Sequence, residues 1–187
     1  MTESYLESVK KQFLYYKMLG EKAMAQLEPD QLFFMVNEDT NSIATIVKHL
    51  AGNMLSRWTD FMTTDGEKEW RQRDAEFEND LTTKDEVMQL WDKGWDCFLF
   101  ALNSLEPQQL TNIIYIRNEG HTVAEAINRQ LAHYPYHIGQ IVFSAKQLKN
   151  SSWDSLSILR NSSNSYNAEK FAKDKSIKNF TNDEMKK

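Results

Sequence analysis

Four stretches of this 187-residue chain place apolar side chains at the helical period, and between them lie only turn-forming or densely polar segments. Such a repeat gathers apolar groups on one face of each helix, and each face must be buried against another. Leu6, Val9, Phe13, Tyr16, Ala23 or Met24, and Leu27 predict a first helix over residues 3–27, with Gly20 a mild weakness in it. Pro29, Asp30 and the Asn and Asp run that follows read as a turn, after which Asn41 or Ser42 caps a second helix. That helix buries Ile43, Val47, Leu50, Met54, Trp58 and Phe61 and should end near Met62. A third is expected from Lys84 to Leu105, with Val87, Trp91, Trp95, Phe98 and Leu102 on one side. Thr122 and Glu125 match a capping box, which opens a fourth helix running to Lys149. The expected fold is all-α, an antiparallel four-helix bundle over residues 1–150.

The connections carry their own signals. Residues 66–83 are dense in charge, with Trp70 and Phe77 embedded, and read as a long, partly ordered link. The β-branched and aromatic segment TNIIYIRNEG reads as an extended strand or hairpin arm laid across the bundle. Residues 151–187 turn rich in Ser, Asn and Lys and form a C-terminal extension, packed at first and mobile over its last dozen residues.

Composition excludes several classes. An apolar share of 41% is far too high for a disordered chain. The net charge of -5 supplies no basic surplus to displace counterions, so nucleic acid is not expected as a partner. No apolar run approaches the roughly 20 residues of a membrane span, and the opening TESYLESVKKQFLYY has no signal-peptide core, so a soluble, cytoplasmic protein is expected. The single cysteine, Cys97 in WDCFLF, reads as a small core residue, because no cation nearer than Lys93 would help to ionise it.

Chemistry concentrates in the histidines. Of four in the chain, His133 and His137 are spaced i and i+4, which on a helix leaves them about 40° apart and one turn along. They lie on a polar seam with Gln130, Gln140 and Ser144, beside the apolar seam of Ile127, Tyr134, Ile138 and Ile141. His49 stands on helix two, followed by Asn53 and Arg57, and completes a three-nitrogen face if helices two and four are neighbours. Three neutral imidazoles suit zinc, nickel or a similar ion and leave positions open. An HxxxH spacing alone also occurs on ordinary helix surfaces, and it lacks the Glu of the HExxH proteases. Pro135 between the pair should kink the helix, either aiming the two rings or bending the helix around the core. His121 precedes the Thr122 cap and is left out of the site.

His49-Leu50-Ala51, and the His133 to His137 pair followed by Ile138-Gly139-Gln140, resemble the ligand segments of the DinB-like superfamily of metal-binding four-helix bundles. The likeness covers about residues 1–150. HLAGNMLSRWTDF, DGEKEWRQRDAEF and GHTVAEAINRQLAHYPYHIGQIV look like a bacterial branch whose members largely lack an assigned reaction. The resemblance implies His49, His133 and His137 as ligands, a metal cleft at one end of the bundle, and a homodimer. Asn161 stands where close relatives would carry Gly, which puts a tight turn there in doubt.

The superfamily includes thiol-dependent S-transferases, so the first expectation is a metal-dependent transferase acting on a small-molecule electrophile with a low-molecular-weight thiol as cofactor. Asn53 and Gln140 would orient ligands, and Arg57, with Arg71 or Arg73, would clamp a carboxylate of the thiol. An ordinary solvated salt-bridge surface is the plain alternative for those arginines. Water activation for hydrolysis is a rival, although helix four offers no obvious Glu or Asp as general base. The other class is a non-catalytic metal-binding bundle, structural or stress-related, with Trp58, Trp70 and Trp153 as an interaction surface.

Overall fold

A computed structural model describes residues 2–185 and is mostly helical, with four long helices around one core and a single two-stranded hairpin. Helix α1 spans Thr2–Ala25, α2 Ile43–Trp58, α3 Lys84–Ser104 and α4 Val123–Lys149. Their starts follow capping chemistry. Ser42, rather than Asn41, caps α2 by accepting from Thr45 N at 3.1 Å. Thr83 with Glu86, and Thr122 with Glu125, form reciprocal boxes at α3 and α4.

α1 lies on α4, and α2 lies between α3 and α4. Phe98 of α3 ties all four together, with its ring centroid 4.5 Å from Phe13, 5.2 Å from Tyr134 and 5.0 Å from Trp58. Trp58 is therefore core and forms no surface with the exposed Trp70 and the half-buried Trp153. Gly20 is better explained by packing than as a weakness, because a Cβ there would meet the Trp91 ring at 2.5 Å. Cys97 is half-buried against the core, 3.5 Å from the Thr59 hydroxyl.

One helix end differs from expectation for a local reason. α2 stops at Trp58, short of Met62, because Asp60 takes φ 47 and its carbonyl is then captured by the N–H groups of Thr63 and Thr64, both at 3.0 Å. α4 runs unbroken through Pro135. The charged link contains a 3₁₀ turn at Asp74–Phe77 and is pinned to α2 by Lys48, whose ammonium donates to the Glu78 carbonyl at 3.2 Å.

The expected hairpin is present, with β1 (Ile113–Ile116) antiparallel to β2 (Glu119–Thr122). Arg117 and Asn118 make its tight turn with φ 57 and 60, the pair of left-handed residues that a two-residue hairpin loop requires. Asp65 clamps the turn, accepting from Arg117 N and Asn118 N, each at 2.8 Å. Beyond α4, Asn161 takes φ 67, so the tight turn forms with Asn in place of Gly, since Asn tolerates the left-handed region. α5 (Ser163–Phe171) buries nothing, whereas α6 (Thr181–Glu184) touches α1, with Thr181 buried and the Phe180 ring 5.6 Å from Tyr15. Among the described residues no helix is long and apolar enough to cross a membrane.

Candidate metal centre

Packing α2 against α4 brings together His49, buried on α2, and the half-buried His133 and His137 one turn apart on α4. Their ligand nitrogens lie within 4.8 Å of one another. His133 Nε2 is 3.4 Å from His49 Nε2 and 3.1 Å from His137 Nε2. A tetrahedral ion about 2.0–2.1 Å from each nitrogen needs them about 3.3 Å apart, so the spacing fits a small divalent ion. His121 sits on β2, paired in register with Ile114, and is outside the cluster.

The other face of each ring is held. His49 Nδ1 is 2.9 Å from Glu76 Oε2, His133 Nδ1 is 3.3 Å from Gln130 Oε1, and His137 Nδ1 is 2.7 Å from Gln140 Oε1. An ionised carboxylate only accepts, so His49 donates from Nδ1, and in the neutral tautomer compatible with that bond Nε2 carries the lone pair. With the two amide oxygens doing the same for His133 and His137, three lone pairs converge on one point. Such mutual repulsion is relieved by a cation, and an outer partner for each imidazole is the usual support of a metal-ligating histidine. Burial, and then the neighbouring His137 and His49, push the His133 imidazolium down to about 4. Burial and His49 lower His137 as well, although its bond to Gln140 opposes them. Both rings are thus neutral donors at ordinary pH.

Glu76 comes from the charged link, and its place is prepared by α2. A Cβ on Gly52 would lie 2.2 Å from Glu76 Oε1, so the glycine leaves the space that the carboxylate fills. Arg71 grips Glu76 in two bonds, Nε to Oε1 at 2.7 Å and Nη2 to Oε2 at 3.0 Å. Burial alone would raise the Glu76 carboxyl, but the hydrogen bond from His49 and the Arg71 pair outweigh it and hold the group below its usual range.

The chain matches, over residues 1–162, the family described as Protein of unknown function (DUF1572). It belongs to that family. No curated protein and no solved structure matches it. The family description assigns no reaction, so function has to be argued from the site.

Asn53 and Arg57 line a cavity of 340 Å³ that His49 and His133 also line. Arg71 and Arg73 are both on its wall, and Arg71 is spent on Glu76 and Glu67. Gln140 holds His137, as a residue orienting a ligand would. Gln130 was visible on the polar seam of α4, but nothing in the sequence marked it as the His133 partner. Glu76 was hidden among the acidic residues of the link, since neither periodicity nor spacing relates it to His49, 27 residues away.

Proposed function

We propose that His49, His133 and His137 hold one divalent metal ion, zinc or nickel, and that the protein is a metal-dependent transferase of the DinB-like four-helix-bundle type, joining a low-molecular-weight thiol to a small electrophile. The convergence of three Nε2 lone pairs, each fixed by a partner on Nδ1, carries this reading. When bound, such an ion supplies Lewis acidity that favours the deprotonated form of a thiol or of water. The residues themselves orient the rings and, through Asn53 and Arg57, line the space in which a ligand would sit.

Glu76 weighs against hydrolysis. It is the carboxylate nearest in role to a general base, yet its oxygens are occupied by Arg71 and His49 and its proton affinity is lowered. A thiol brings its own nucleophile and needs a weaker base or none.

Elemental analysis of the purified, untagged protein beside its His49→Ala and His137→Ala variants tests the metal. One equivalent in the parent and none in either variant is the expected result, and no metal in the parent after reconstitution with zinc or nickel would sink the proposal. Loss of thiol titre with an electrophile, dependent on metal and absent after chelation, separates a transferase from a non-catalytic bundle.

A further inference from the structure

The cavity beside the histidines has an unusual wall. Five arginines line it, Arg57, Arg71, Arg73, Arg117 and Arg129, and no carboxylate does. They arrive from four separate places: the last turn of α2, the charged link, the hairpin turn and α4. Two buried or partly buried acids stand behind them. Glu67 meets Arg57 at 3.0 Å and Arg117 at 3.1 Å, and Glu76 takes Arg71. With Asp74 beside Arg73 counted, five guanidinium groups against three carboxylates leave a surplus of two positive charges around one small space. Arg129 has no carboxylate partner among the described residues, and Arg73 meets only the exposed Asp74, at 3.9 Å. The Arg57 and Arg71 side chains, 6% and 2% exposed, are buried beside their Glu67 and Glu76 partners, while Arg73, Arg117 and Arg129 remain exposed. Like charges gathered around one concave space raise the local positive potential and favour an anion there.

The two amides of the cavity, Asn53 and Gln130, have a matching polarity. Trp58 Nε1 can only donate, and it donates to the Tyr134 hydroxyl at 3.1 Å. That hydroxyl therefore spends its own proton on Asn53 Oδ1 at 3.2 Å. With its oxygen committed, Asn53 is left with its NH₂ as the free group. Gln130 follows the same logic, for its Oε1 is taken by His133 Nδ1 and its NH₂ remains. Two amides that could have accepted are thus fixed as donors.

We infer that this arginine-lined cavity binds a small dianion, a molecule bearing two carboxylates or a phosphate, seated with its charged end among Arg57, Arg117, Arg129 and Asn53 and its other end at the three histidines. A volume of 340 Å³ lies at the small end of ligand sites and takes a molecule of metabolite size. Guanidinium groups match planar carboxylates and phosphate oxygens in paired hydrogen bonds. The position of the second end, and the Gln130 part of the argument, rest on the metal reading above, whereas the arginines and Asn53 do not.

Calorimetry with succinate and with inorganic phosphate as probes, on metal-free and metal-loaded protein, tests the inference. Binding of at least one probe at millimolar concentration or better is expected in both forms, weakened at least about tenfold in an Arg117→Ala/Arg129→Ala double variant whose metal content and melting temperature match the parent. Both residues are exposed, so the variant should fold. Preference for succinate identifies a dicarboxylate, and preference for phosphate a phosphate ester. Neither probe binding either form, or equal binding by the double variant, would overturn the inference. Binding that is lost in the double variant of a protein that takes up no metal would sink the metal proposal and leave the anion site standing.

Discussion

α2 and α3 lie side by side and bury comparable faces, but they bury different things. The inner face of α3 is Val87, Trp91, Trp95, Phe98, Ala101 and Leu102, with no polar side chain. α2 buries Val47, Leu50, Met54 and Trp58 and, on the adjoining face, His49, Asn53 and Arg57. An apolar face needs only shape and volume from its neighbours. A buried polar face needs a partner for every group, and those partners come from elsewhere: Glu76 for His49, Tyr134 for Asn53, Glu67 for Arg57. The α3 side therefore stabilises the fold, and the polar side of α2 gathers partners around the three-histidine cluster.

Breaking each side separately should give opposite phenotypes. His133→Ala should abolish stoichiometric metal while His121→Ala retains it, as read by elemental analysis; equal loss in both would refute the ligand assignment. Phe98→Ala should cost about 3–5 kcal/mol in urea unfolding, because it empties a site touched by all four helices, yet the folded protein should keep its metal. A smaller effect is expected on the prepared side of α2. Gly52→Ala displaces Glu76 without touching a ligand, and should weaken metal affinity about 10–100-fold in a competition titration with the fold intact.

The smallest effect concerns the clamp that carries Arg117 to the cavity. Burial would raise the Asp65 carboxyl, but the backbone N–H donors of Asn118, Glu67 and Arg117 hold it below its ordinary 3.8. A carboxyl depressed in the folded state stabilises above its unfolded value, and that contribution is lost as pH falls through the folded value. Asp65→Asn should thus cost about 1 kcal/mol near neutral pH, and the gap from the parent should close below about pH 4. A gap independent of pH would show that shape, not charge, holds the turn.

Much of this was legible in the chain. The four helices, the Thr122 box, the hairpin segment and the His133 and His137 pair follow from local rules, because periodicity and capping are properties of neighbouring residues, whereas His49 joins them only through resemblance and the packing of α2 on α4. The family match runs over residues 1–162, into the segment expected to be an extension, and adds no reaction. The end of α2 was misjudged because the apolar stripe continues to Phe61 while the backbone turns at Asp60. The link over residues 66–83 reads as only partly ordered, because its contacts with α2 leave no local pattern in the chain.

The sequence by itself determined which faces are apolar, where helices begin, and that two histidines share one side of α4. Only the tertiary structure decided which nitrogen of each ring is free, that Glu76 fills the space beside Gly52, and that arginines from four places meet around one cavity. The first set depends on the repeat of a single helix, a distance of a few residues. The second depends on side chains far apart in the chain approaching to within a hydrogen bond, and that is set by how the helices and the link pack.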